Sequence, residues 1–180
     1  MEDKCALEDY PQICAIISWI AMISCKICSK NARAIHDSQY DHNYYYCDNC
    51  DFIFLDESKI IPTDQEKKKY ALHQNSFANE GYVNMFREFI NKAIKPHGPQ
   101  ISTALDFGSG PGPVLAELLR EQGFKTDIYD KHFAPEQVYL NKKYDLITAT
   151  EVFEHLKHPL STLKLLKTHL NKNGILAIMT

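Results

Sequence analysis

The feature that most constrains the fold is the run DFGSGPG at positions 106–112. It follows ISTALDF, which is typical of a buried strand, and it precedes PVLAELLREQ, which is typical of an amphipathic helix closed by Gly123. Glycines in a strand-to-helix turn permit positive φ values, and because they lack a Cβ they let a ligand lie against the backbone. The run therefore predicts a ligand-binding turn at the carboxyl end of the first strand of an open α/β sheet.

The chain after residue 101 alternates strands with helices. KTDIYD and YDLITAT each indicate a strand, PLSTLKLLKTHL indicates a helix with Pro159 near its first turn, and GILAIMT indicates a last strand. This alternation favours a doubly wound, mainly parallel sheet, which is a Rossmann-like α/β fold. Only KHFAPEQVYLNKK separates the second strand from the third, so at most a short strand, QVYL, is expected there.

The second predicted strand ends at Asp130, 18 residues after Gly112. A carboxylate at that point of a nucleotide-binding fold accepts hydrogen bonds from both hydroxyls of a ribose. The glycine spacing is G-x-G-x-G rather than the G-x-G-x-x-G of dinucleotide sites, and no G-K-[ST] follows it, which excludes a P-loop. A nucleoside ligand is expected, with a structural glycine turn beside a surface aspartate as the alternative.

Three motifs taken together resemble a known family. They are D-x-G-x-G-x-G beginning at Asp106, the acid that ends the next strand, and YDLITATEVFEHL at positions 144–156. The set is similar to the class I S-adenosylmethionine-dependent methyltransferases, and most of all to the group with an E-V-x-E-H sequence, shared by quinone and other small-molecule methyltransferases. The resemblance covers residues 103–180 and implies transfer of a methyl group from S-adenosylmethionine to an O or C nucleophile of a small molecule.

The resemblance also implies which residues contact the cofactor. The loop after the first strand would embrace its methionine part, Asp130 would hold the ribose, and the segment after YDLITAT would line the sulfonium side. Acidic residues suit such a pocket because the cofactor carries a sulfonium and an ammonium cation. The expected cofactor-binding residues are Asp106, Gly108, Ser109, Gly110, Pro111, Gly112, Asp130, Thr150, Glu151 and Val152.

Glu154 and His155 are the candidate catalytic residues. A sulfonium is already activated, so methyl transfer needs chiefly alignment and exclusion of water, but a hydroxyl acceptor also needs a base. The pair follows the strand end where an acceptor should approach, and histidine titrates in the useful range. The alternative is that the pair caps or orients the next helix. The sequence lacks the D/N-P-P-Y motif of amino-directed methyltransferases, which argues against an exocyclic amine as acceptor.

Four of the six cysteines form two C-x2-C pairs, Cys25 with Cys28 and Cys47 with Cys50. The 18 residues between the pairs fall within the spacing of known zinc sites, and four thiolates close a tetrahedral site that leaves no open position. The sequence therefore predicts a structural zinc ion in a ribbon-like module. A redox dithiol and a rubredoxin-type iron site are the alternatives, and the cysteine usage indicates a reducing compartment.

Composition shifts divide the chain into four parts. Residues 1–24 are an apolar extension, residues 25–56 the zinc-ribbon-like module, residues 57–98 a helical cap and linker, and residues 99–180 the S-adenosylmethionine-binding domain. In the third part, EGYVNMFREFINKAI shows an apolar helical face and KPHGPQ is typical of a linker. The apolar run at 13–24 is too short to span a bilayer, and an acidic segment precedes it, so a cytoplasmic protein without a membrane contact is expected.

The net charge of -3 at pH 7 offers no overall attraction to nucleic acid. Two other functions stay open, namely a non-catalytic zinc-ribbon binding module with a degenerate methyltransferase body, and an RNA methyltransferase. Relative to the family the final strands are missing after GILAIMT, so we expect either a C-terminally truncated fragment or a second chain that covers this edge. An exposed apolar edge strand also allows self-association.

Overall fold

The computed structural model of the chain describes residues 23–72 and 75–180. Most of the predicted N-terminal extension, residues 1–22, lies outside the described residues. The chain divides into two compact units, Met1–Ile60 and Ile61–Thr180. The strands are β1 (Ile23–Ser24), β2 (Asn31–Asp37), β3 (His42–Tyr46), β4 (Ile53–Leu55), β5 (Thr103–Phe107), β6 (Lys125–Tyr129), β7 (Tyr144–Thr150) and β8 (Leu170–Met179). The α-helices are α1 (Thr63–Ala71), α2 (Glu80–Phe89), α3 (Val114–Glu121) and α4 (Pro159–Thr168). Across the described part of the chain, no helix has the length and apolar character needed to cross a membrane.

The first unit contains an antiparallel sheet in the order β1-β2-β3-β4. Strands β3 and β4 pair so that Tyr45 lies opposite Phe54. The buried ring of Phe54 packs against the rings of Tyr45 and Phe52, with centroid separations of 5.5 and 5.7 Å, and the Lys26 ammonium lies 5.3 Å from its centroid. An aromatic cluster of this size buries little apolar surface, so the described residues of this unit, taken by themselves, need a second source of stability.

Helix α2 presents the apolar face that the sequence predicts. It begins after Asn79, whose Oδ1 accepts a hydrogen bond from the Tyr82 N–H at 3.1 Å. The chain then continues through a π-helical turn at Ile90–Ile94. The side chains of this face are all buried: Val83, Phe86, Phe89, Ile90 and Ile94.

The segment KPHGPQ differs from the predicted linker, because Lys95–Gln100 forms a 3-10 helix. The φ value that proline imposes is compatible with such a helix. The Ile101 N–H donates to the Gly98 carbonyl at 3.0 Å and so closes the last turn. Ile94 and Ile101, which flank the segment, are both buried in the core, and this anchoring at both ends holds it in one conformation.

The second unit is built on a parallel sheet in the order β6-β5-β7-β8. Successive residues of β5 face opposite sides, as the period of a strand requires. Ala104 belongs to a core cluster that includes Leu115 and Leu119 of α3, whereas Leu105 belongs to a second cluster with Leu166 of α4. Helices therefore cover both faces, and the predicted α/β fold with a parallel sheet is confirmed.

Asp145 on β7 holds the beginning of β5. Its Oδ2 accepts hydrogen bonds from the N–H groups of Ser102 and Thr103 at 2.9 and 3.0 Å, and its Oδ1 accepts one from Asn171 Nδ2 at 2.8 Å. Partial burial would raise the pKa of Asp145, but these donors outweigh it and lower the pKa below its ordinary value. The ionised carboxylate thus links three segments of the unit.

Two segments of the second unit differ from the sequence prediction. In place of a short strand at QVYL the chain makes a turn, because the ring of Tyr139 is buried and packs edge-on against Tyr129, with 5.1 Å between centroids. Strand β8 begins at Leu170, four residues before the predicted GILAIMT. Its pairing with β7 is irregular over those residues, and Asn173 adopts a φ of 67° there.

Candidate functional site

A cavity of about 720 Å³ opens at the carboxyl ends of β5, β6 and β7. Its walls are the glycine loop after β5, the turn after β6 and the segment after β7, and residues of α1 and α2 line the remaining side. Ligands of open α/β sheets bind outside the carboxyl ends of the strands, so the cavity lies where the fold predicts a ligand.

The glycine loop adopts a backbone that other residues would strain. Gly108 has a φ of 86° and Gly110 a φ of 67°, both in the left-handed region. A Cβ on Gly108 would overlap the side chain of Val152, which occupies the space beside it. A Cβ on Gly112 would overlap the carbonyl oxygen of Asn75. Gly108 and Gly110 therefore let the loop line the cavity, whereas Gly112 lets the segment at Asn75 pack against the loop.

Asp130 lies next to the glycine loop. Its Oδ2 accepts a hydrogen bond from the Gly110 N–H at 3.0 Å, and its Oδ1 accepts from the N–H groups of His132 and Phe133 at 2.7 and 3.0 Å. The side chain is almost buried, and its residue lines the cavity. The structure thus brings together the two parts of the site that the sequence predicts to act on one ligand.

Asp106 and Ser109 supply buried polar groups to the same cavity. Asp106 is 2% exposed, and its Oδ1 accepts a hydrogen bond from Thr148 Oγ1 at 2.9 Å. Burial raises the pKa of Asp106 to about 6, although this hydrogen bond and the charge of Arg120 lower it in part. The buried Oγ of Ser109 has no hydrogen-bond partner among the described residues. A buried hydroxyl without a partner indicates that a ligand or water completes its hydrogen bonding.

Some of the residues at the end of β7 and after it line the cavity, and others do not. Thr150, Glu151 and Val152 line the cavity, and Glu151 adopts a φ of 54°. Partial burial, followed by the charge of Glu154, raises the pKa of Glu151. His155 also lines the cavity, but Glu154 does not, and its Oε1 lies 4.0 Å from His155 Nε2. Of the two predicted catalytic side chains, only the histidine faces the cavity.

Residues upstream of the sheet complete the cavity, and sequence reasoning missed them. Glu66 and Tyr70 of α1, Asn79, and Tyr82 and Met85 of α2 all line it. The apolar face of α2 is visible in the sequence, so a wall built from that helix was predictable in outline. By contrast, nothing in the sequence of α1 indicates that its Glu66 and Tyr70 lie beside a turn that follows β6.

In the first unit the four paired cysteines converge on one point. Their sulfur atoms all lie within 4.8 Å of one another, with 3.6 Å between those of Cys25 and Cys50 and 3.4 Å between those of Cys28 and Cys47. A tetrahedral site with Zn–S bonds of about 2.3 Å places its sulfurs about 3.8 Å apart. None of the four is in a disulfide. The geometry matches that of a four-coordinate metal site.

The two cysteine pairs are held by equivalent turns. The residue after each pair, Ser29 or Asp51, has a positive φ and donates its N–H to the carbonyl of the first cysteine of the pair, at 3.0 and 2.8 Å. The Sγ of Cys25 also accepts a hydrogen bond from the Ile27 N–H at 3.4 Å. An N–H that donates to sulfur stabilises the thiolate, which is the form that binds a metal.

The model of a family described as "Methyltransferase domain" matches residues 39–180, and the chain belongs to that family. No curated protein matches the chain significantly. The predicted membership of the methyltransferases is thereby confirmed, while the family match says nothing of zinc.

Three similar solved structures are of the plantazolicin methyltransferase BpumL in complex with SAH, and two of them also contain a pentazolic or a monoazolic desmethylPZN analog. Their sequence identities to the chain are 17, 18 and 17%, and the TM-scores are 0.27, 0.30 and 0.28. The matches cover 60, 64 and 60% of this chain. The chain spans 56, 58 and 56% of the matched chains.

Substitution of Asp106 by asparagine is expected to change how stability depends on pH. Because the native pKa is about 6 and the ordinary value is 3.8, the folded state retains a proton that the unfolded state has lost. The contribution of Asp106 to wild-type stability therefore falls by up to about 3 kcal/mol as the pH rises from about 4 to about 6, and Asp106→Asn removes that fall. Urea unfolding curves of both proteins between pH 4 and pH 7 measure the difference.

Asp145→Asn is the matched control, because the pKa of Asp145 is lowered. The stability difference of that variant has the opposite sign, since it is a loss at pH 7 that shrinks as the pH falls below about 4. A wild-type minus Asp106→Asn difference that is flat from pH 4 to pH 7 would contradict the assignment.

Proposed function

We propose that the chain binds S-adenosylmethionine in the cavity and transfers its methyl group to an O or C nucleophile of a small molecule. One observation carries the proposal. In a chain of the methyltransferase family, the glycine loop and Asp130 line the same cavity at the ends of β5 and β6, where the Gly110 N–H donates to the Asp130 carboxylate. The class I resemblance of the motifs supports the same cofactor.

The residues of the cavity fit this cofactor. Asp106 offers a buried carboxylate to an ammonium group. A cation beside this carboxylate would lower its pKa and so offset the effect of burial, which raises it. Ser109 offers a hydroxyl that lacks a partner among the described residues. A carboxylate has about four acceptor positions, and three N–H groups already occupy those of Asp130, so one remains for a ribose hydroxyl.

When bound, the cofactor supplies a methyl group already activated by a sulfonium. The protein then has three tasks, which are to align the acceptor, to exclude water and to remove the acceptor's proton. We assign proton removal to His155, because its side chain faces the cavity. Glu154, 4.0 Å from the imidazole, stabilises the imidazolium that forms. Thr150, Glu151 and Val152 shape the wall between the two ligands.

Asp130→Asn is expected to weaken the binding of S-adenosylmethionine and of its demethylated product at least tenfold, because an amide loses an acceptor position and repels the Gly110 N–H. Isothermal titration calorimetry measures both affinities. Glu136→Gln removes the same charge from an exposed position in the following loop and should change them less than about twofold. Wild-type protein that gives no heat with either ligand at high micromolar concentration would rule out the proposed function.

His155→Gln is expected to lower the turnover number by about 10²-fold or more, the range for loss of a general base, while product affinity stays unchanged. The measurement is formation of S-adenosylhomocysteine from S-adenosylmethionine with a panel of hydroxylated small molecules. His158→Gln, an exposed histidine three residues further on, is the matched control. Equal turnover by His155→Gln and the wild type would mean that the Glu154–His155 pair only orients the helix that follows.

We also propose that Cys25, Cys28, Cys47 and Cys50 bind a structural zinc ion. The convergence of their sulfurs and the two equivalent turns support this proposal. A metal would supply the stability that the small aromatic cluster of the first unit lacks. The site is closed by four protein ligands, which suits structure rather than chemistry.

Elemental analysis is expected to find one zinc per chain, and Cys28→Ser is expected to lose most of it. Cys14→Ser, which alters a cysteine outside both pairs, is the matched control and should keep the metal. A strong chelator should lower the unfolding temperature of the wild type, because the metal binds only the folded state. Iron in the purified protein would indicate the rubredoxin-type alternative, and a protein free of metal with an unchanged melting curve would rule out any such site.

A further inference from the structure

Helix α1 carries two side chains that line the cavity, Glu66 and Tyr70. They are four residues apart, so they lie on the same face of the helix. The Tyr70 hydroxyl donates to Glu66 Oε1 at 3.2 Å. The two side chains are therefore bonded to each other on the face of α1 that lines the cavity.

Glu66 is held by charge on its other oxygen. Its Oε2 lies 2.6 Å from Lys131 Nζ and 3.3 Å from His132 Nε2. The Glu66 side chain is only 14% exposed and that of His132 only 6%. Burial would raise the pKa of Glu66, but the hydrogen bond and the charge of Lys131 outweigh it and lower the pKa. Glu66 is thus an ionised, well-partnered group rather than a surface charge.

Both partners of Glu66 Oε2 belong to the turn whose backbone N–H groups donate to Asp130. The Asp130 carboxylate accepts the N–H groups of His132 and Phe133, while the side chains of Lys131 and His132 reach Glu66. A displacement of α1 therefore removes a support from the turn that presents Asp130. The turn and helix α1 therefore hold each other in place on this side of the cavity.

Tyr70 extends the contact to the opposite side of the cavity. Its ring packs edge-on against the ring of His155, with 5.6 Å between centroids, and lies 6.1 Å from the ring of His132. Helix α1 consequently spans from the turn after β6 to the segment after β7. These are the places assigned above to the nucleoside and to the methyl acceptor.

We propose that Glu66 is a positioning residue that clasps α1 to the turn after β6, so that α1 closes the cavity over its ligand and places Tyr70 against His155. Glu66 itself touches none of the reacting atoms. The proposal rests on the proposed function for the identity of the ligand. It goes beyond that function by assigning closure and retention of the ligand to a helix outside the parallel sheet.

Dissociation of S-adenosylhomocysteine, followed by surface plasmon resonance, tests the clasp. Glu66→Gln should accelerate release about tenfold, and Lys131→Gln about threefold, because His132 and Tyr70 still hold Glu66 in the second variant. The double variant should release no faster than Glu66→Gln alone, since both substitutions break one network. Glu121→Gln and Lys68→Gln, which change the same charges at exposed positions, should stay within about twofold of the wild type.

Charge reversal separates positioning from general loss of structure. Glu66→Lys and Lys131→Glu should each release the ligand fast, whereas the two together should restore at least part of the slow release. Single variants that release the ligand at the wild-type rate overturn the proposal. A Glu66→Gln, Lys131→Gln double variant whose acceleration is the product of the two single accelerations overturns it as well.

Hydrogen exchange of the protein without ligand tests whether Glu66 holds α1 in place, independently of any ligand. Amides of α1 should exchange faster in Glu66→Gln than in the wild type, and those of α3 should not change. If wild-type protein fails to bind S-adenosylhomocysteine, the proposed function falls, and exchange alone then decides. Faster exchange confined to α1 supports the clasp, and unchanged exchange overturns it.

Discussion

The hydrogen bond from the Gly110 N–H to the Asp130 carboxylate is the interaction on which the rest of the site depends. It joins the loop after β5 to the turn after β6, which are brought side by side by the parallel pairing of the two strands. The loop can make this bond because Gly108 and Gly110 have φ values that other residues adopt only with strain. The junction forms one wall of the cavity, and the segment after β7 and the helices α1 and α2 supply the others.

Carboxylates line the strand-end side of the cavity, while Lys131, which also lines the cavity, is paired with Glu66. Asp106, Asp130 and Glu151 face the cavity, and Asp106 is buried without a basic partner in hydrogen-bonding distance among the described residues. Such an arrangement costs stability in the free protein and is relieved by a cationic ligand.

The two units obtain their stability differently. The second has apolar clusters on both faces of its sheet, with Leu115, Leu119 and Leu166 fully or almost fully buried. Among the residues that the structure describes, the first has an aromatic cluster around Phe54 and four converging cysteines. The match of the family model begins at residue 39, so it includes Cys47 and Cys50 but not Cys25 and Cys28.

The sequence by itself determined the features that depend on local pattern. The glycine loop, the alternation of strands and helices, the acid at the end of β6 and the spacing of the cysteines are all read over short stretches, because backbone conformation and side-chain period act locally. Only the tertiary structure decided the rest. It made the proline segment a 3-10 helix through the burial of Ile94 and Ile101, and it turned His155 but not Glu154 toward the cavity. It also placed Glu66 beside Lys131, 65 residues away, because contacts between distant segments follow from packing and leave no periodic trace in the chain.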